Sequence, residues 1–380
     1  MSAPRVTRLR LTDFRSFARL DAKFEPMLIA LCGENGVGKT NLLEALSLLA
    51  PGRGLRRASL GEMSRIGGSG AFAVVAHLEG ADGSTVLGTG IEPQAGSSNP
   101  TRRVRVNGAP ASSSGVFSEH LRLVWMTPAQ DGLFNGPPGD RRRFVDRLVL
   151  AIDPRHAARA AALEQALRSR NRLLEEARAD HAWLDAVERQ IAELGIAVAS
   201  ARRETVERLA SLIAARRDEA SPFPFAELAL TGETDALVVE HSAIEAEDRM
   251  RQALRQTRAR DRAAGRTLTG PQTSDLSVRH GPKGIDAASA STGEQKALLI
   301  GLVMAHAHLV AQMSGMAPLV LLDEVAAHLD PSRREALFAA LVTLGGQVFM
   351  TGADRALFGD LPVGAKLFTV TPGEVHPAVA

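Results

Sequence analysis

The 380-residue chain holds a single cysteine, Cys32, no tyrosine and only two tryptophans, Trp125 and Trp183. One cysteine excludes an internal disulfide and a cysteine-based zinc centre. Aromatic residues make up 4% of the chain, too few for a base-stacking platform, so any nucleic acid is expected to be held by its backbone. The histidines show no close metal-ligand spacing except His306 and His308, which two apart on a helix point in different directions. Residues 1–14 alternate charged with apolar side chains and lack the apolar centre of a signal peptide. The longest apolar stretch, Leu298–Met313, is interrupted by those two histidines. It is too short to cross a bilayer, so the expectation is a buried helix in a cytoplasmic protein with no membrane partner. No internal repeat stands out. With 45 basic against 43 acidic residues, net +2, local clusters say more than the sum.

Gly33-Glu34-Asn35-Gly36-Val37-Gly38-Lys39-Thr40 follows an apolar strand-like run, Met27–Cys32, and opens a helix-like run, Asn41–Ala50. This is the phosphate-loop pattern G-x-x-x-x-G-K-[ST] in the strand–loop–helix setting it needs. Glycines let the backbone wrap a phosphate, and its N–H groups converge at a helix N-terminus that favours negative charge. Lys39 adds a point charge for the outer phosphates of ATP, and the Thr40 hydroxyl is suited to Mg²⁺. Such a loop requires an acidic partner at the end of a second strand. Leu319-Val320-Leu321-Leu322-Asp323-Glu324 offers it, with Asp323 as the Mg²⁺ carboxylate and Glu324 as general base for the attacking water. Ser291-Thr292-Gly293-Glu294-Gln295-Lys296 reads as a capped helix start, one helix and one strand before Asp323.

Residues 1–150 read as β-rich, in short alternating runs punctuated by Gly/Ser-rich stretches such as Gly67–Gly70, Gly96–Pro100 and Ser112–Gly115. From Pro154 to about Ile213 apolar residues recur at helical spacing, with Leu163, Leu167 and Leu174 on one face and Leu184, Ile191 and Leu194 on another. Ser221-Pro222-Phe223-Pro224 breaks this section, and a further helical run covers roughly Ser242–Arg258. The pattern then returns to alternating helix and strand. The expected fold is α/β: an ATPase domain in two parts, residues 1–150 and 266–380, with a helical domain inserted at 151–265. The insertion is too short for a long coiled-coil arm.

Ser291–Lys296 before Asp323 resembles the signature motif of ABC-type P-loop ATPases, and Leu329-Asp330 stands where that family has its D-loop. The resemblance narrows to the RecF family of bacterial recombination-mediator ATPases, relatives of the structural-maintenance-of-chromosomes (SMC) proteins. It is carried by Leu9-x-Leu11-x-x-Phe14-Arg15-Ser16-Phe17, by Gly33 to Leu46 including Asn41, and by Gly139 to Asp146. It continues through Ala166-Leu167-x-x-Arg170-Asn171, Ala182-Trp183, Gly270-Pro271 with Asp275-Leu276, Ser291–Lys296, and Leu321 to Arg334. The chain departs from the family at Gln272-Thr273, where a His-Arg pair is usual. The resemblance implies an ATP-driven homodimer, with Ser291 and Gly293 of one subunit capping the phosphate held by the other. It also implies binding of double-stranded or gapped DNA, and action with RecR and RecO to load RecA. Gln130 would serve as the Q-loop glutamine, and Thr351 would donate to phosphate where an ABC transporter has its switch histidine. Competing readings are an SMC-type clamp, a soluble ABC ATPase acting on a protein, and a transporter ATPase.

Three arginine clusters are candidates for DNA phosphates: Arg53, Arg56 and Arg57; Arg141, Arg142 and Arg143; and the run Arg255, Arg258, Arg260, Arg262 and Arg266. Acidic neighbours of the last two clusters favour internal ion pairs instead.

Overall fold

In the computed structural model, which describes residues 3–81, 83–92, 100–176 and 180–378, strand β1 (Arg5–Phe14) buries Val6, Leu9, Leu11 and Phe14. A bulge between Val6 and Arg8 absorbs the first break in its alternation and keeps Val6 on the face of Leu9 and Leu11. β1 turns tightly into β2 (Phe17–Lys23), and the fully buried β3 (Leu28–Cys32) leads through the phosphate loop into α1 (Lys39–Ser47). β4 (Phe72–Gly80), β5 (Gly83–Ile91), β6 (Arg103–Val106) and β7 (Ala109–Pro110) complete a six-stranded antiparallel sheet, in order β2-β1-β4-β5-β6-β7. β8 (Leu123–Met126) follows, again wholly buried. The expected loops Gly67–Gly70 and Ser112–Gly115 lie outside strands, whereas most of Gly96–Pro100 falls outside the described residues.

Next come α2 (Pro138–Ile152), α3 (His156–Glu175) and the 35-residue α4 (His181–Ala215). β9 (Ala226–Thr231), α5 (Glu233–Glu240), α6 (Ala243–Gln256), α7 (Arg258–Ala264), β10 (Asp275–His280) and β11 (Ile285–Asp286) follow. Strands β9, β10 and β11 form a small antiparallel sheet. The chain then runs through α8 (Thr292–Ser314), β12 (Leu319–Leu322), α9 (Pro331–Leu344), β13 (Val348–Gly352), β14 (Lys366–Thr371) and β15 (Glu374–Pro377). The second large sheet has the order β15-β14-β3-β13-β12-β8 and is parallel except for β15. Strands β3, β8, β12 and β13 are near-continuous apolar runs because both of their faces are covered.

The chain divides into two units, one of Met1–Asp131, Asp218–Pro224 and Ser291–Ala380, the other of Gly132–Arg217 and Phe225–Ala290. The bounds of the second unit fall at 132 and 290, against the expected 151 and 265. Long-range bonds explain the shift. Arg141 of α2 grips Asp275 of β10, Arg202 of α4 grips Asp146 of α2, and β9 pairs with β10 along its length. Leu163, Leu173, Leu184, Ile191, Met250 and Leu254 form the core of this unit. Among them lies a wholly buried guanidinium. Arg170 is satisfied by Glu188, Asp261, the Thr267 hydroxyl and the Leu254 carbonyl, so its burial leaves no charge uncompensated.

The apolar stretch at Leu298–Met313 lies within α8, which at 23 residues is long and apolar enough to cross a membrane by length and composition. Length therefore does not exclude a span, contrary to the sequence expectation. What places this helix is its packing: 67% of its most apolar window is buried inside the protein.

Candidate nucleotide site

Two glycines carry the loop where other residues would be strained: Gly36 has φ +88° and Gly38 φ +113°. At Gly38 a Cβ would also stand 2.7 Å from Ser16 Oγ and 2.9 Å from the Phe17 ring. At Gly33 it would stand 2.4 Å from the Val370 carbonyl oxygen on β14. The β1–β2 turn and the β14 backbone thus shape the loop from outside. Lys39 is buried, and its Nζ donates to the carbonyls of Gly33 (2.6 Å) and Glu34 (2.9 Å), closing the loop upon itself. Glu34, Asn35 and Gly36 are exposed, while Val37 packs on the core.

The strand order explains how the carboxylates meet the loop. β13 lies between β3 and β12, so the residues ending these three strands converge, as expected at the carboxyl edge of a parallel sheet. Thr40 Oγ1 donates to Asp323 Oδ1 at 2.9 Å, and Thr351 Oγ1 donates to the same oxygen at 2.8 Å. Burial pushes the Asp323 carboxyl above the usual carboxylate range, against the hydrogen bonds from Thr351 and Thr40 that pull it back. Two hard oxygen donors so close suit Mg²⁺ rather than a softer metal. Glu324 adopts the left-handed conformation, φ +52°, and its N–H donates to Thr351 Oγ1 at 2.9 Å. A non-glycine residue held there signals strain of order 1 kcal/mol or more, as is found in functional carboxylates.

Thr351, expected to donate to a phosphate, is buried and gives its single hydroxyl proton to Asp323, so its side chain orients the Asp323 carboxylate and the Glu324 backbone. Gln130 departs from a free Q-loop amide, because its Oε1 accepts from the Thr127 N–H at 2.9 Å within its own short turn. Asn41 is also committed, donating to Ser16 Oγ and accepting from Arg56. Ser291 is the N-cap of α8 in a capping box with Glu294, and both Ser291 and Gly293 are exposed. Asp330 is exposed too, and caps α9 through the Arg333 N–H.

Most of the arginine candidates are internally bound. Arg141 makes a two-pronged bond to Asp275, Arg142 donates to the Ser274 carbonyl, and Arg143 pairs with Asp140. Arg141 and Arg142 thus tie α2 to the start of β10, whereas the Arg143–Asp140 pair is exposed and local to α2. In the later run, Arg255 and Arg258 pair with Asp185, and Arg260 and Arg262 bond Thr269 and the Glu176 carbonyl. Arg266 is exposed. Arg56 bonds Glu44, whereas Arg53 and Arg57 are exposed and make no polar contact among the described residues. The sequence reading gave no role to Glu44, Arg15 or Arg102. Arg102 is a half-buried guanidinium that donates to the carbonyl of Leu48, the C-cap of α1, where helix polarity favours a cation, and to that of Gly52 in the loop beyond. A basic residue just before a strand carries no pattern that would have revealed this.

Residues 8–68 match the AAA domain family. Over nearly its whole length the chain is similar to curated proteins named DNA replication and repair protein RecF. The relative from Mesorhizobium japonicum is 53% identical over 372 residues, covering 98% of this chain and 97% of the relative. That from Rhizobium etli is 52% identical over 370 residues, covering 97% and 98%. Among solved structures the fold is similar to the recombination mediator protein RecF with ATP in the RecFOR pathway, with TM-score 0.84, 22% identity, and 99% and 98% of the two chains covered. It is also similar to the Smc head domain from Pyrococcus furiosus bound to the C-terminal domain of ScpA, with TM-score 0.53, 15% identity, and 99% and 96% covered.

Proposed function

The chain belongs to the RecF family of DNA replication and repair proteins, and from that premise we propose that it is a slow, DNA-linked ATPase whose ATP-bound homodimer grips duplex or gapped DNA. The observation that carries this reading is the meeting of Thr40 and Asp323 across 2.9 Å, between a phosphate loop and the end of a distant strand. ATP would lie in the loop Gly33–Thr40, with Lys39 exchanging its carbonyl partners for the outer phosphates. Thr40 and Asp323 would hold Mg²⁺, which supplies charge neutralisation and Lewis acidity at the phosphates. Glu324, beside Asp323 and pinned by Thr351, is positioned to take the proton of an attacking water.

Ser291 caps the exposed N-terminus of α8, with Gly293 in its first turn, and Asp330 caps that of α9. These surfaces are suited to a second copy, whose phosphate would complete each cap. Arg53 and Arg57 would contact the DNA backbone. The family premise further suggests cytoplasmic action with RecR and RecO in loading RecA. Binding to duplex DNA at physiological salt, with and without ATP, tests the reading. Binding only with ATP supports the gated clamp, and no binding in either state removes the DNA role.

A further inference from the structure

Glu44 is wholly buried on α1, four residues after Thr40, and two arginines converge on it. Arg15, from the β1–β2 turn, makes a two-pronged bond at 2.6 and 2.8 Å. Arg56, from the loop after α1, donates one N–H at 3.0 Å to Glu44 Oε2 and is within 2.8 Å of Asn41 Oδ1 through the same nitrogen. Asn41 in turn donates to Ser16 Oγ at 2.9 Å. The loop bearing Arg56 is tied down elsewhere as well, by the Leu55 N–H on Ser47 Oγ (2.8 Å) and by Arg102 on the Gly52 carbonyl (2.7 Å). A buried carboxylate with two cations is a costly arrangement to retain for stability alone. Its geometry leads to the site: Arg56 holds Asn41, Asn41 adjoins Thr40, and Thr40 touches Asp323.

We propose that Arg56, seated by the buried Glu44, is a positioning residue of the nucleotide site and not a DNA contact: through Asn41 it fixes the first turn of α1 and with it the Thr40 hydroxyl that meets Asp323. Arg56 has a half-exposed side chain, so its replacement leaves the core intact. The inference rests on the reading of Thr40 and Asp323 as the Mg²⁺ pair.

The test is a Mg²⁺ titration of fluorescent ATP-analogue binding without DNA, for wild type, Arg56→Gln, Arg56→Lys and Glu44→Gln. Arg56→Gln should require about tenfold more Mg²⁺ for half-saturation, the scale found when an outer partner of a metal ligand is lost. Glu44→Gln should do the same, and Arg56→Lys should recover part of the loss by restoring the charge without the fork. An unmoved Mg²⁺ requirement in Arg56→Gln overturns the proposal, and if duplex-DNA affinity falls at the same time, Arg56 returns to the DNA-contact set. A wild type that binds no nucleotide at any Mg²⁺ concentration would instead remove the underlying site.

Discussion

Replacing Thr351 with valine deletes one oxygen and two hydrogen bonds while leaving the shape of the side chain unchanged. In the native protein the hydroxyl donates to Asp323 Oδ1 (2.8 Å) and accepts from the Glu324 N–H (2.9 Å), at a position 1% exposed. The valine methyl can do neither. A buried backbone N–H left without an acceptor costs about 1–3 kcal/mol, and a lost hydrogen bond to a charged group about 1.5–3 kcal/mol. Better burial of a methyl returns roughly 1 kcal/mol. The expected net loss is thus about 2–4 kcal/mol, read by urea unfolding. Trp125 is a suitable reporter, since it is buried on β8 in register with Leu321 of β12. Turnover should fall on the order of 10²-fold, because Glu324 loses the bond that sets its backbone. The pH profile gives a third readout. Loss of a donor to the ionised carboxylate raises Asp323 further, so the acid limb of activity moves to higher pH. Thr351→Ser keeps the hydroxyl and should behave nearly as wild type. A valine variant within about 0.5 kcal/mol of wild type, with an unmoved acid limb, would refute the role assigned to Thr351.

Asp146 is held at about 2 because hydrogen bonds from His156 and Arg202 outweigh its burial. A depressed carboxylate stabilises above its ordinary pKa and loses that contribution as pH falls through 2, so Asp146→Asn should lose about 2 kcal/mol at pH 7, with the deficit shrinking between about pH 4 and 2 in denaturant titrations. Burial raises Asp235 against the pull of Ser274 and Arg202. Its ionisation therefore costs stability as pH climbs past the ordinary carboxylate value, so Asp235→Asn should melt higher than wild type at pH 8 and equally at pH 4; a gain that is the same at both would discard the argument. Glu324→Gln should slow ATP turnover by 10²-fold or more (an order-of-magnitude expectation for losing a general base) and prolong the ATP-dependent complex on DNA, which filter binding after dilution would detect. Gly293→Arg, at an exposed position with no atom closer than 3.9 Å to its Cβ, should fold normally and sediment as a monomer at ATP concentrations that dimerise the wild type.

The site elements that could be read from the sequence are those whose chemistry is local. The phosphate loop, the apolar strand ending in Asp323, and the Ser291 cap each fit within one short stretch, so composition and spacing suffice. What could not be read depends on strand order. No spacing shows that β13 lies between β3 and β12, yet that placement is what lets Thr351 reach Asp323. The same holds for charge. The acids near Arg141 in sequence suggest a local ion pair, but its partner Asp275 is 134 positions away, and only β10 beside α2 brings them together. The inserted unit was legible as helical, whereas its bounds were not, because β9, β10 and β11 are short strands whose pairing is non-local.

Gly33 meets the carbonyl of Val370, and β3 pairs along its length with β13 and β14. A chain emerging from the ribosome therefore displays its phosphate loop hundreds of residues before the strands that flank it exist. Asp323, Thr351 and the Val370 backbone all arrive late, after the whole inserted unit has been made. A nascent chain can fold its antiparallel sheet early, since all its strands lie between Arg5 and Pro110, but it cannot close the parallel one. Competence for nucleotide is in this way deferred to the last part of synthesis, and truncated chains carry the loop without the carboxylates that give it purpose.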